Sequence, residues 1–180
     1  KIPRQVIVNK FHQASHHLLD YIDSFYGVPD SHIKRKETAE LLNWIKTPIP
    51  QKEEPVALLE GDAGRGKTVI LKDLLLELRS TGIPAVGFKA DRYYAESLTE
   101  LEQKVYLEDS FEKMIRSLTA SGETAVVLID QIDALSQSLS AKRQYIDSYN
   151  LLVRKLLVIP NVRIILSVRS YDLNYDTDLS

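Results

Sequence analysis

Eight consecutive residues, Gly61-Asp62-Ala63-Gly64-Arg65-Gly66-Lys67-Thr68, carry the clearest chemical pattern in the chain. Gly61 and Gly66 bracket four residues and are followed by lysine and a hydroxyl side chain, the spacing of a phosphate-binding loop. Glycines let the backbone curl until successive N–H groups point inward at phosphate oxygens. A helix opening near Lys67 adds the positive end of its dipole. On this reading Lys67 reaches the β- and γ-phosphates and the Thr68 hydroxyl ligates magnesium, so the loop is expected to bind ATP or ADP with Mg2+. All eight residues belong to that site, although the Arg65 side chain is expected to face solvent or a neighbouring domain. A chance match in a chain of 180 residues is roughly a one-in-a-hundred event.

Such a loop needs a second acidic group for its metal. Asp130 directly follows the apolar run Ala125 to Ile129, placing it at the carboxyl end of a strand, where open parallel sheets bind ligands. It is the natural second anchor for magnesium. Asp133, three residues on, has the chemistry to polarise an attacking water; a helix N-cap or a solvated turn is the alternative role. Arg169 ends another apolar run, Val162 to Val168, and suits a contact to the γ-phosphate. Its alternative is a surface ion pair with one of the nearby aspartates. Lys67, Asp133 and Arg169 are thus the candidate catalytic set, and Thr68 and Asp130 the candidate metal ligands.

The elements that must position these residues follow from periodicity. Apolar residues at Phe11, Ala14, Leu18, Ile22 and Phe25 predict a helix over 10–26, stopped by Gly27 and Pro29. A second helix is expected from Asp30 or Ser31 to about Lys46, with Ile33, Leu41, Leu42 and Ile45 on one face. Three prolines between Thr47 and Pro55 mark a linker. Beyond it, strands alternate with helices. Val56–Glu60 reads as a buried parallel strand, 67–79 as a helix, Ala85–Lys89 as a strand, and Ala125–Ile129 as the most apolar strand. A helix over roughly 140–158 stops at Pro160, and Val162–Ser167 is the fourth strand. Ser97 with Glu100, and Asp109 with Glu112, have capping-box spacing. Strand–helix alternation implies right-handed crossovers and a parallel sheet covered on both faces. The expected fold is therefore α/β, a three-layer sandwich with about four strands, preceded by an N-terminal helical segment. The expected division is a helical arm and linker over 1–50 and a nucleotide-binding core over 51–180. A start at Lys1 and a polar end over 172–180 suggest a piece of a longer chain, cut on its C-terminal side.

Other patterns are weaker. His12 and His16 are expected on one helix face with His17 beside them, but Gln13 stands where the zinc-protease pattern needs glutamate, which leaves a solvated face. Nine tyrosines, including Tyr93-Tyr94, lack interleaved basic residues and form no stacking platform for single-stranded nucleic acid. A formal charge of -2 gives no basic footprint for nucleic acid or a membrane surface. With no cysteine, disulfides and thiolate metal sites are excluded. Apolar runs fall short of a membrane span, and a cytoplasmic protein is the expectation.

Taken together, the loop 61–68, Val126-Val-Leu-Ile-Asp-Gln-Ile-Asp133 and Ile164-Ile-Leu-Ser-Val-Arg169 resemble the STAND class of signalling ATPases, including its NACHT-like branches. The resemblance covers roughly residues 31–173. Ile33-Lys-Arg-Lys-Glu37 is similar to the short arginine–glutamate motif that precedes the loop in that class and lies near the adenine. This implies nucleotide contacts from Ile33 and Arg35, and a sensor role for Arg169. Two positions depart from the pattern: Ala134 replaces a further glutamate, and Gln131 stands where glycine is common. The helical and winged-helix modules that follow the sheet in the class, and a fifth strand, are absent from this sequence. The resemblance implies an ATP-hydrolysing regulatory switch, connected to other domains of a longer chain and forming homo-oligomers when activated, in bacterial signalling or antiviral defence. The alternatives are an AAA-type or origin-recognition-like ATPase acting on DNA, and a scaffold that holds nucleotide without hydrolysis.

Overall fold

The computed structural model describes residues 2–20, 35–64, 66–107, 109–137 and 143–170. In chain order these form α1 (Arg4–Ala14), α2 (His16–Leu19), α3 (Lys36–Lys46), β1 (Val56–Glu60) and α4 (Lys67–Ser80). They continue with β2 (Ala85–Lys89), a 3-10 turn (Ala90–Arg92), α5 (Leu98–Lys104), α6 (Phe111–Thr119), β3 (Ala125–Asp130), α7 (Ala134–Gln137), α8 (Arg143–Leu157) and β4 (Val162–Val168). The four strands form one parallel sheet in the order β1-β4-β3-β2.

Side chains alternate along each strand, and the alternation sorts them into two cores. Val86, Phe88, Val127, Ile129, Val162 and Ile164 join one cluster with residues of α1, α5, α6, α7 and α8. Ala85, Val126, Leu128 and Ile165 join the other with Leu18 of α2, Ile45 of α3 and Leu71, Leu74, Leu75 and Leu78 of α4. The molecule is thus a helix–sheet–helix sandwich, as the strand–helix alternation requires. Arg163 ties the linker to it: its guanidinium donates to Thr47 O at 3.3 Å and lies over Trp44.

The N-terminal segment differs from the predicted single helix over 10–26. It begins at Arg4 and breaks at Ser15, and residues 21–34 lie outside the described residues. Ser15 is fully buried; its Oγ donates to Phe11 O at 2.6 Å and accepts from the Gly87 backbone N–H at 3.0 Å. The break therefore satisfies a donor on the outer edge of β2. It also turns the chain around that edge, so Phe11 enters one core and Leu18 the other. The two histidines consequently do not share a continuous helix face: His12 lies on α1 and His16 opens α2.

Close approach of α2 explains Gly87. A Cβ there would stand 2.6 Å from Leu18 Cδ2 and 3.3 Å from Leu128 Cβ. Gly87→Val is expected to lower the unfolding free energy by about 1–3 kcal/mol through overpacking. Chemical denaturation measures this, and an unchanged midpoint would show that α2 does not seat tightly on β2.

Three further boundaries differ from the sequence expectation. α3 starts at Lys36, after an extended Arg35, rather than at 30 or 31. α6 is capped by Ser110, whose Oγ accepts from Lys113 N at 3.2 Å, while Asp109 instead pairs with Lys113 Nζ at 2.9 Å. Ser97 caps α5 by accepting from Glu100 N, but the Glu100 carboxylate accepts from Glu96 N, one residue earlier than the box pattern. Finally, among the described residues β1 is an edge strand and not a buried one, with Leu58 50 % exposed.

Candidate functional site

The loop 61–68 joins the carboxyl end of β1 to the start of α4. Gly66 is the residue before the helix and holds φ 81°, a conformation natural only to glycine. Its O accepts the first helical bond from Ile70 N at 3.0 Å. Lys67 is buried, and its ammonium turns back into the loop, donating to Gly61 O and to Asp62 O at 2.9 Å. Thr68, one residue into α4, donates from Oγ1 to Asp130 Oδ2 at 2.6 Å.

Asp130 is the last residue of β3 and is fully buried. Its second oxygen, Oδ1, accepts a hydrogen bond from Ser167 Oγ on β4. Two hydroxyls from two neighbouring elements therefore hold one carboxylate, the arrangement that makes burying a charge tolerable. Buried Lys89 of β2 stands in register beside it.

Ser167 is a site residue that periodicity alone did not flag. It is a buried polar residue inside the apolar run Val162–Val168, one step beyond the Ile129–Leu166 pairing. A hydroxyl in such a run, on the strand neighbouring a strand-end aspartate, is the signal that marks it. Ser167 Oγ also accepts from Gln131 N at 2.8 Å, and its carbonyl accepts from Ile132 N at 3.2 Å. It thereby fixes the turn that leads from Asp130 to Asp133.

Gln131 occupies that turn with φ 57°. Left-handed backbone costs a non-glycine residue about 1–2 kcal/mol, a cost that glycine at this position would avoid. Gln131→Gly is expected to leave stability within about 1 kcal/mol of wild type, on the stabilising side, whereas Gln131→Val loses about 1–3 kcal/mol. Paired urea titrations distinguish the two, and equal loss from both would show that the turn is unstrained.

Asp133 directly precedes α7 and its side chain is 4 % exposed, so it is not a solvated turn residue. Arg169, just past β4, places Nε 3.5 Å from Asp133 Oδ2. The pairing with a nearby aspartate, one of the two roles open to Arg169 from the sequence, is the one the geometry displays. At 33 % exposure its guanidinium still reaches the surface beside the strand ends.

Arg35 also comes to the loop. Its guanidinium lies against Gly66, where an added Cβ would stand 2.7 Å from Nη2. Gly61, Asp62, Ala63 and Gly64 lie in the same loop; Ile33 and Arg65 fall outside the described residues. A parallel sheet, a glycine-rich turn from β1 into α4, and a strand-end aspartate against the first hydroxyl of that helix now stand together. The fold is an α/β sandwich, a four-stranded parallel sheet between two helical layers.

No family model matches the chain, and no curated protein matches it. Among solved structures it is similar to the AMPPCP-bound DnaA from Aquifex aeolicus, with 19 % sequence identity and a TM-score of 0.49. The similarity covers 77 % of this chain and 39 % of that one, so the chain spans well under half of that protein's length. Among the described residues no helix is long and apolar enough to cross a membrane.

Proposed function

We propose that this P-loop chain is the nucleotide-binding core of an ATP-dependent regulatory switch of the STAND class. The observation that carries nucleotide binding is the contact of Thr68 Oγ1 with Asp130 Oδ2 at 2.6 Å, while the switch class rests on the resemblance of the three motifs. A hydroxyl and a carboxylate converging beside a glycine loop are hard oxygen donors of the kind magnesium takes, together with phosphate oxygens. The donor set therefore fits Mg2+, which when bound would neutralise charge on the phosphates.

The chain's own residues divide the remaining work. Loop N–H groups and the opening of α4 cradle the phosphates. Lys67, buried with its ammonium on loop carbonyls, exchanges those acceptors for phosphate oxygens. Asp130, held between Thr68 and Ser167, orients the Thr68 hydroxyl. Asp133 is the acceptor placed to orient a water, and Arg169, which clasps it, is the cation that responds to a third phosphate. Arg35, extended onto Gly66, borders the nucleotide from the side of α3. In this reading ADP and ATP differ in what they offer Arg169, and other domains of the longer chain sense that difference.

The test is nucleotide binding by the intact protein, measured by calorimetry with Mg-ATP and Mg-ADP. Saturable binding is expected, weakened about ten- to a hundredfold by Lys67→Ala, the loss of one charge-assisted contact set. Failure of the intact protein to bind either nucleotide would overturn the assignment. Oligomers forming with ATP and not with ADP support the switch; turnover that rises on adding DNA would instead favour an AAA-type ATPase acting on DNA. Bound ADP that neither exchanges nor arises from ATP would favour a scaffold.

A further inference from the structure

Away from the loop, three metal-ligating side chains meet on α2 and the residue that ends it. His16, His17 and Asp20 each offer one donor atom, and the three atoms lie within 4.8 Å of one another. We propose that they form a binding site for a late divalent transition-metal ion of the zinc type.

Several features prepare the cluster. His16 Nδ1 lies 2.9 Å from Gln13 O. A carbonyl only accepts, so Nδ1 is the nitrogen that donates and Nε2 is the one left for a metal, which is how metal-binding imidazoles are commonly oriented. The His17 ring is held between His16, at 3.9 Å, and Tyr93, at 5.6 Å. Asp20 follows His16 by four residues and His17 by three, the spacings that share a helical face. Beside His16 stands Tyr106, exposed and held at φ 61° in the turn after α5. Left-handed backbone in a bulky residue is strain of the kind that persists at functional sites.

Donor chemistry selects the ion. Two imidazoles and one carboxylate suit Zn2+, Co2+ or Ni2+ rather than magnesium or calcium, which prefer oxygen alone. Ligands at about 2.0–2.2 Å around a tetrahedral ion sit about 3.3–3.6 Å apart, so donors up to 4.8 Å apart need draw in by at most about 1.5 Å, within reach of side-chain rotation. Three protein ligands leave one position for water. The site is separate from the oxygen-lined magnesium position at Thr68 and Asp130. Its place gives it a structural effect: the ion would close the turn that seats Leu18 against Gly87 and the edge of β2.

The test is calorimetric titration of the nucleotide-free full-length protein with Zn2+, repeated with Co2+ to record its visible absorption. Wild type is expected to bind one equivalent saturably, with the Co2+ spectrum of a nitrogen–oxygen site and a raised unfolding temperature. His16→Ala, His17→Ala and Asp20→Asn should each weaken binding by at least the roughly tenfold that even loss of a ligand's hydrogen-bond partner costs. His12→Ala is the control, since the His12 side chain is not among the three clustered ligand groups and stands under the influence of Arg79. These side chains face solvent or are only partly buried, so the variants should fold, which circular dichroism of each variant checks. No saturable binding by wild type would overturn the proposal, as would a His16/His17/Asp20 triple variant that binds as tightly as wild type.

Discussion

Asp130→Asn is expected to lower ATP turnover by the intact protein about a hundred- to a thousandfold, the scale on which removing one preorganised electrostatic contact acts. The substitution keeps the size of the side chain and an oxygen able to accept from one hydroxyl. It removes the charge that a metal would meet beside Thr68. Both hydroxyl partners, on Thr68 and Ser167, rotate freely enough to suit an amide. The unfolding midpoint should therefore move little while activity collapses. That split separates a chemical role from a purely structural one. Turnover within a few-fold of wild type, with the fold intact, would remove Asp130 from the metal's surroundings.

Phe11→Ala carries the largest expected effect on stability, about 3–5 kcal/mol, the usual cost of emptying a buried aromatic site. Phe11 is fully buried in the cluster that contains Val86, Phe88, Phe111 and Tyr149. A loss of that size in a single cooperative transition would show that α1 belongs to the same folding unit as the sheet. A small loss, or a separate early transition, would instead mark residues before 50 as an appended arm. Calorimetry of wild type and variant decides between them.

Much of this was readable from residue order. The loop needs fixed residue types at fixed spacing, and the run 125–129 is apolar enough to mark a strand, which places Asp130 at its end. All four strands fall within a residue of their expected bounds. What escaped the sequence was set by neighbours distant in the chain. The break at Ser15 depends on an N–H of Gly87 that is offered only after the sheet forms. The helix starts at Arg4, earlier than the apolar spacing from Phe11 suggests, because Ile7 adds a turn to the stripe. Periodicity cannot say whether an apolar strand lies centrally or at an edge, and β1 lies at an edge. Ser167 is a polar residue within a hydrophobic run, invisible until its register beside β3 gives it a carboxylate to hold. The role of Asp109 went to Ser110 because either side chain suits a cap, and tertiary entry angle chose between them.

The two edges of the sheet are treated differently. At β2 a serine hydroxyl occupies a backbone donor and a helix pair wraps around the strand. At β1, among the described residues, only β4 is hydrogen-bonded, and Leu58 is half uncovered. Among the described residues, a strand added from within this polypeptide or from another copy would therefore find free backbone groups along β1 rather than along β2, where Ser15 and the α1–α2 pair already stand.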